Sequence, residues 1–455
     1  MNSPAPQVIK MYAKREDIFP REVKGHYQKL RWICLILTQL VFYGVPWLQW
    51  NDRQAVLFDL VSRKFYIFGL VLWPQDFIYL AALLIACAWG LFLVTAVAGR
   101  VWCGYSCPQT VYTEMFLWIE RRFEGSRSAQ LRLAKAPMSF DKAWRKGGKH
   151  LAWLALALWT GFTFVGYFSS IGGLAREALT FSFGPWEWFW VLFYSFATYG
   201  NAGWMREQVC KYMCPYARFQ SAMFDRDTLI ITYDAKRGEP RSKEGGGSCI
   251  DCSLCVQVCP TGIDIRNGLQ YECIGCAACI DACDIVMDKV EQPRGLIRYS
   301  TDRAMEKGLG AKEIKQRIMR PRVLLYTAAL CLFITGVFTA LMLRTPLKMD
   351  VIRDRGSMGR EVENGQIENV YRLQIMNTTE QAHTYRIRAS GIDTIHVAVP
   401  DTVEVGPTET RAVPVRLRID YGKAASGSNR IDIELTAIDD PSLAVKEKAV
   451  FIVPR

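Results

Sequence analysis

Five apolar stretches, each long enough to cross about 30 Å of hydrocarbon as a helix, set the first limit on what this chain can become. They cover residues 32–50, 77–99, 151–170, 185–204 and 323–343. Trp47, Trp50, Trp186, Trp188 and Trp204 crowd their ends, as aromatic residues do at membrane interfaces. Glu187 near the start of the fourth makes it the least clean. Residues 65–73 are apolar but too short to span, and are expected to lie at the interface.

Lysine and arginine give the direction. Lys10, Lys14, Arg15, Arg21, Lys24, Lys29 and Arg31 precede the first stretch, and ten more, from Arg100 to Lys149, lie between the second and third. The segment between the fourth and fifth is basic and ends Arg320-Pro321-Arg322. The other connections hold only Arg53, Arg63, Lys64 and Arg176. The positive-inside rule then expects a multi-pass membrane protein with a cytoplasmic N-terminus (residues 1–31) and a C-terminus on the other side. The formal net charge of +12 is spent flanking these stretches, which argues against a nucleic-acid surface. The first apolar run begins after thirty polar residues, which is no signal-peptide pattern.

The chain has 15 cysteines, none after Cys331, so a disulfide scaffold in the exported part is not expected. Eight read C-x2-C-x2-C-x3-C twice: Cys249, Cys252, Cys255, Cys259-Pro260, then Cys273, Cys276, Cys279, Cys283-Asp284. A cubane needs four thiolates, and in two-cluster ferredoxins the fourth comes from the other motif. Cys249, Cys252, Cys255 and Cys283 are expected to hold one 4Fe–4S cluster, and Cys273, Cys276, Cys279 and Cys259 the second. Paired zinc sites share the C-x2-C spacing but need fewer cysteines in so short a space. Gly275, Ala277, Ala278 and Ala282 leave room for a bulky cube. The span of about forty residues resembles bacterial two-cluster ferredoxins and places an α+β insert at 245–290, inside a cytoplasmic region at 205–322. Gly245–Gly247 before it reads as a flexible joint.

Two further motifs, Cys103-Gly-Tyr-Ser-Cys107-Pro108 and Cys210-Lys-Tyr-Met-Cys214-Pro215, follow the second and fourth stretches. Tyr105 and Tyr212 hold matching places, so residues 32–204 look like a duplicated helical hairpin. Proline suits a first helical position, which makes Cys107 and Cys214 helix N-caps, where a thiolate is stabilised. The four thiols are candidates for soft-metal ligation (Cu(I), zinc or another cluster) or for redox chemistry, against the plainer reading of inert cysteines. Cys34, Cys87 and Cys331 lie within spans and are read as packing residues.

From about residue 345 short alternating stretches appear: 370–376, 384–389, 394–399, 410–418, 430–435 and 446–453. They predict an all-β, immunoglobulin-like sandwich over 345–455. It carries only His383 and His396 as strong ligands, so a docking or shielding role without chemistry is expected. The spans hold no histidine; His150 sits at a boundary and His26 before the first, so a membrane haem lacks axial ligands. No Rossmann fingerprint follows a strand, so electrons come from another protein or from quinol.

Taken together, the spans, the two C-x3-C-P motifs, the double cluster motif and the terminal sandwich resemble the bacterial cytochrome oxidase accessory family called CcoG, RdxA or FixG. The resemblance implies a cupric reductase that supplies Cu(I) to a high-affinity haem–copper oxidase, beside a copper-exporting ATPase. Cys103, Cys107, Cys210 and Cys214 would then be its copper-reducing or copper-binding site. Two other readings stand beside it: a quinol-dehydrogenase-like electron relay, and a non-catalytic assembly scaffold or redox sensor.

Overall fold

The computed structural model describes residues 18–242, 246–354, 356, 359–362 and 365–454. Lys10, Lys14, Arg15 and Gly245 lie outside them. The chain gathers into two compact units. One takes the residues up to Leu48 together with Leu83–Phe333, and the other takes Gln49–Ala82 together with the residues from Ile334 on.

Helices dominate the first unit. In chain order they are α1 (His26–Gly44), α2 (Phe77–Ala98), α3 (Val101–Tyr105), α4 (Pro108–Glu124), α5 (Arg127–Lys135), α6 (Phe140–Val165), α7 (Ile171–Thr180), α8 (Pro185–Thr198), α9 (Pro215–Met223), α10 (Ala235–Gly238), α11 (Leu254–Gln257), α12 (Ala278–Lys289), α13 (Asp302–Lys307), α14 (Ala311–Ile318) and α15 (Pro321–Met342). Three helical stretches, His26–Trp47, Pro74–Ala98 and Pro321–Met342, are long and apolar enough to cross a membrane. Their apolar side chains find little protein to cover them: Ile78 is 70% exposed and Leu325 67%. Surfaces of that kind are stable in hydrocarbon rather than water, and the protein is membrane-associated.

The expected third and fourth spans are helical but shaped differently. α6 begins at Phe140, well before the apolar run. α8 has 14 residues, about 21 Å at 1.5 Å per residue, and continues as a π-helical segment, Tyr199–Met205. The two helices pack closely because α6 has Gly161 at the crossing, where a Cβ would collide with Ser195 Oγ and the Val191 carbonyl. Beside them, Glu120 and Glu124 of α4 are buried against Lys149 of α6, with Lys149 Nζ 2.7 Å from Glu124. Arg206 Nη2 meets Glu120 at 2.5 Å. The cations are matched by the carboxylates and lie over the buried Trp153 ring, which makes so much interior charge tolerable.

The cysteines read as packing residues divide. Cys34 is half-buried, but Cys87 and Cys331 are exposed. Their helices turn these faces away from the protein, so they pack against no core.

In the second unit the segment expected at the interface is sheet. β1 (Gln49–Trp50) pairs with β2 (Arg53–Gln54), and β3 (Val56–Asp59), β4 (Lys64–Ile67) and β5 (Leu70–Leu72) form an antiparallel meander. Residues 65–73 thus bury Val71 and Trp73 against Met376. In the first unit, β6 (Ile230–Tyr233) pairs with β7 (Ile297–Ser300). The sandwich is built from β8 (Leu347–Arg353), β9 (Arg360–Val362), β10 (Gln366–Asn377), β11 (His383–Ser390), β12 (His396–Val399), β13 (Thr402–Val405), β14 (Thr410–Ile419), β15 (Gly427–Ala437) and β16 (Ala444–Val453). One sheet runs β12-β14-β10-β8 with β9 on β10, and the other β13-β11-β15-β16. All six stretches expected as strands are strands; β8, β9 and β13 were not anticipated. Alternation decides the core: Val413, Val415, Leu417 and Ile419 point in while Arg416 points out. Tyr371, Leu373, Tyr385 and Phe451 are wholly buried between the sheets, and Tyr371 Oη donates to the Val450 carbonyl at 2.9 Å.

Phe451→Ala is expected to destabilise the sandwich by about 3–5 kcal/mol. Hydrogen exchange of the β10 and β15 amides checks this: they should exchange faster together, while amides of α6 and α8 keep their protection.

Candidate iron–sulfur and thiol centre

The ferredoxin-like insert is framed by the β6–β7 ribbon. Between those strands, α11 follows the first cysteines and α12 carries the last two. Pro260 ends the first motif after a short turn. Asp284 does not break the second, because α12 runs from Ala278 to Lys289 through Cys279, Cys283 and Asp284, whose carboxylate accepts from Gly295 N at 3.0 Å. Nor is the described part of the glycine run a free joint. Gly247 N donates to the Pro240 carbonyl at 3.0 Å, and a Cβ there would strike the Gly238 carbonyl.

The eight insert thiols converge on two cavities. Cys249, Cys252, Cys255 and Cys283 line one, with Leu254, Met287 and Leu296. Cys259, Cys273, Cys276 and Cys279 line the other, which Cys255 also reaches. Each quartet draws its fourth member from the other motif, as the spacing leads one to expect. Among the described residues no three of His, Cys, Asp or Glu are close enough together to hold a single metal ion. Four thiols spread around one cavity, with apolar walls and the small buried Ala277, Ala278 and Ala282, suit a cube rather than a zinc ion. Burial pushes three of these thiols up, Cys255 to about 11 and Cys273 and Cys283 to about 12. They remain protonated until iron displaces the protons.

The C-x3-C-P motifs lie against the second cavity. Cys107 and Cys214 are the N-caps of α4 and α9, each with proline at the first helical position. Cys103 sits on α3, and Cys210 on a short π-helical segment, Val209–Met213. The four thiols come together: Cys103 feels Cys107 and Cys210, and Cys210 feels Cys107 and Cys214. The helix start does not lower the Cys107 thiol as expected. Burial outweighs the N–H groups of Gln109 and Thr110 and raises it. Burial likewise pushes Cys103 up to about 12 and Cys210 to about 11.

The two motifs are not equivalent. Tyr105 is buried, its hydroxyl 3.5 Å from that of Tyr299, whereas Tyr212 is 66% exposed. Tyr299 Oη donates to the Gly275 carbonyl at 2.7 Å, fixing the loop that carries Cys276. Gly104, between the two cysteines of the first motif, lies against that loop. A Cβ on it would stand 2.9 Å from Cys276 N and Cα. Cys103 and Cys210 pack on the same cluster of side chains as Cys276.

Residues noted in the sequence only as charges turn out to hold this joint. Arg100 is buried; its guanidinium donates to the Tyr271 and Ala217 carbonyls and, at 3.4 Å, to that of Cys273. Its charge favours the thiolates of Cys103, Cys210 and Cys273. Arg31 is buried near Cys276 and does the same there. Asp281, between Cys279 and Cys283, accepts from Tyr27 N and Gln28 N at 3.2 and 2.8 Å. It thereby caps α1, and a Cβ at Gly25 would collide with it. Gln220 accepts from the Cys103 thiol at 3.5 Å. Arg100, Arg31 and Asp281 are marked by the burial of their charge, which the sequence does not record. His150, by contrast, bonds Tyr199 Oη through Nδ1 at 2.9 Å, away from the thiols.

Comparison with known proteins agrees with this geometry. Nitrogen fixation protein FixG of Rhizobium meliloti is 37% identical over 479 residues, covering 95% of this chain and 91% of that one. Protein RdxB of Cereibacter sphaeroides is 38% identical, covering 96% of each. Protein RdxA of the same organism is 40% identical, covering 84% of each. The chain belongs to the FixG/RdxA/CcoG family. Residues 205–302 match a 4Fe-4S dicluster domain, 80–125 a 4Fe-4S binding domain, and 337–454 the Ig-like fold at the C-terminus of FixG. A solved structure of a FixG-related protein from Vibrio parahaemolyticus matches 24% of this chain and 96% of its own, at 29% identity and a TM-score of 0.22. The family is one of iron–sulfur electron-transfer proteins, and this chain binds 4Fe–4S clusters.

Gly104→Ala should displace the Cys276 loop, because the atoms its Cβ meets are backbone. Iron is expected to fall from about eight to about four per chain as the second cluster is lost. Iron and sulfide analysis of anaerobically purified protein reads the result, and full loading in the variant would contradict the packing described.

Proposed function

We propose that this chain is a membrane-bound cupric reductase that supplies Cu(I) for assembly of a high-affinity haem–copper oxidase. The observation that carries the reading is the seating of the C-x3-C-P thiols on the Cys276 loop, with Gly104 against its backbone. Bound clusters would supply electrons singly, which is the unit that Cu(II) to Cu(I) requires. Cys249, Cys252, Cys255 and Cys283 would hold the outer cluster, and Cys259, Cys273, Cys276 and Cys279 the one beside the thiols.

The chain's own groups do the rest. Cys103, Cys107, Cys210 and Cys214 present soft sulfur, which prefers Cu(I) over Cu(II) and so favours the reduced product. Their mutual closeness fits a copper held by two thiolates at a time. Arg100 offsets the negative charge of these sulfurs and of the neighbouring cluster loop. Tyr299 holds that loop through the Gly275 carbonyl, and Asp281 ties α12 to the start of α1.

In this reading five spans lie in the bacterial inner membrane, and the lysines and arginines that flank them favour a cytoplasmic N-terminus and insert and a periplasmic sandwich. A copper-exporting ATPase and oxidase assembly factors are its partners in this reading.

The test is a variant with Cys103, Cys107, Cys210 and Cys214 all changed to Ser. It should keep its cluster absorbance but reduce Cu(II) at least about a hundredfold more slowly, by Cu(I)-chelator assay, a loss of about 2.7 kcal/mol in barrier lowering. Unchanged Cu(II) reduction in a fully loaded variant would remove these thiols from the reaction.

A further inference from the structure

A 4Fe–4S cluster gains one negative charge on reduction, so positive charge and donated hydrogen bonds at its sulfurs raise its potential. Burial does not separate the two quartets. Cys249 and Cys255 are buried in one and Cys276 in the other, and the remaining five are half-buried. Their polar surroundings do separate them. Thr261, in the turn after Cys259-Pro260, is 3% exposed and lines the cavity of Cys259, Cys273, Cys276 and Cys279. Its Oγ1 stands 3.3 Å from Cys259 Sγ. A sulfur that holds iron has lost its proton, so in the loaded protein the hydroxyl is the donor. Arg100 and Arg31 are buried near Cys273 and Cys276. Among the described residues Arg100 pairs with no carboxylate; it donates to carbonyls, including that of Cys273 at 3.4 Å. The acids nearby are already engaged. Glu114 is shared between Arg31 at 3.9 Å and Arg121 at 3.1 Å, and Asp281 accepts from Tyr27 N and Gln28 N.

The quartet of Cys249, Cys252, Cys255 and Cys283 has the opposite balance. Arg266 lines its cavity, but two carboxylates hold it, Asp264 at 2.7 Å and Asp251 at 2.5 Å. Asp284 follows Cys283 and adds negative charge there. Tyr233 reaches Cys249, yet its hydroxyl donates to Glu239 Oε1 at 3.2 Å.

We propose that Thr261, Arg100 and Arg31 give the quartet of Cys259, Cys273, Cys276 and Cys279 the higher potential, so that an electron entering the insert settles on the side of the C-x3-C-P thiols. The inference deepens the reductase reading by giving its electrons a direction, and it rests on the two-cluster part of that reading. Thr261 and Ile274 line both this cavity and a second one that Cys210 also lines, so the favoured quartet is the one next to a candidate acceptor. The step balances: one electron leaves the Cys249 side and arrives at the Cys259 side, with no bond made or broken and no proton moved.

The experiment uses the full chain in detergent with both clusters loaded, under anaerobic conditions and without copper. Midpoint potentials are measured with redox mediators, following absorbance and the electron paramagnetic resonance of the reduced clusters. The wild type is expected to show two potentials. Thr261→Val keeps the side chain's shape and removes the hydroxyl. It should lower the higher potential by about a tenfold change in its one-electron equilibrium, about 59 mV, and leave the lower one in place. Thr261→Ser, which keeps the hydroxyl, should restore the wild-type value. Arg266→Gln leaves Asp251 and Asp264 facing Cys255 without their cation, and should lower the lower potential alone. A single shared potential, or a Thr261→Val shift confined to the lower one, overturns the proposed order. Equal potentials in Thr261→Val and wild type remove the hydroxyl from it. If Thr261→Val loses a cluster, Arg266→Gln decides: a shift of the lower potential supports the order and a shift of the higher one overturns it. Copper is absent throughout, so each outcome is separate from success or failure of Cu(II) reduction.

Discussion

The contact between Gly104 and the backbone of Cys276 is the constraint on which the remaining arrangement depends. It brings a motif that follows a membrane helix to van der Waals distance from a loop that carries a cluster ligand. Only a residue without a Cβ permits that approach, and both partners are main chain, so neither can swing aside. The same economy recurs at Gly25, which leaves room for the Asp281 carboxylate, and at Gly275, where a Cβ would stand 3.1 Å from the Arg100 carbonyl. Three glycines therefore fit the ferredoxin-like insert to the ends of the helices.

Close packing alone would bury charge at a cost of several kcal/mol per ion. The joint offsets this by pairing each buried charge with groups that need it. The Asp281 carboxylate receives the first N–H groups of α1, which have no partner within the helix. Arg100 donates to the main-chain carbonyls of Tyr271, Ala217 and Cys273. Arg31 lies near Cys276 and Glu114, with Glu114 at 3.9 Å. Positive charge is thus concentrated where thiolates must form. That counters the burial which pushes Cys103, Cys210, Cys273 and Cys276 upward, and it favours loading with iron over remaining as thiol.

Much of this was legible in the sequence. Both quartets are written in the spacing of their cysteines, because ligands on one short loop must be neighbours in the chain. The crossing of Cys259 and Cys283 between cavities follows the pattern of two-cluster ferredoxins, which the spacing resembles. The sandwich showed itself through alternation, although β13, with two buried valines, was too short to register. For the 65–73 segment, composition ranks an apolar run without saying what covers it; the Met376 side chain packs on Val71 and Trp73. The N-cap argument placed Cys107 and Cys214 correctly but missed the sign of the Cys107 shift, since burial is a tertiary property. Arg100, Arg31, Asp281 and Tyr299 were illegible as site residues for the same reason. Each acts across more than a hundred residues of chain or through a backbone group, and no local pattern records that.

The account's central claim is that electrons pass from the clusters to copper within this one chain. The most direct measurement is a single turnover: protein reduced stoichiometrically under anaerobic conditions is mixed with saturating Cu(II), while cluster absorbance and a Cu(I)-specific chelator are followed together. The account predicts one Cu(I) for each electron the clusters lose, at a rate per chain that does not change when the protein is diluted at saturating copper. Clusters that stay reduced, or that reoxidise without Cu(I) appearing, would contradict it.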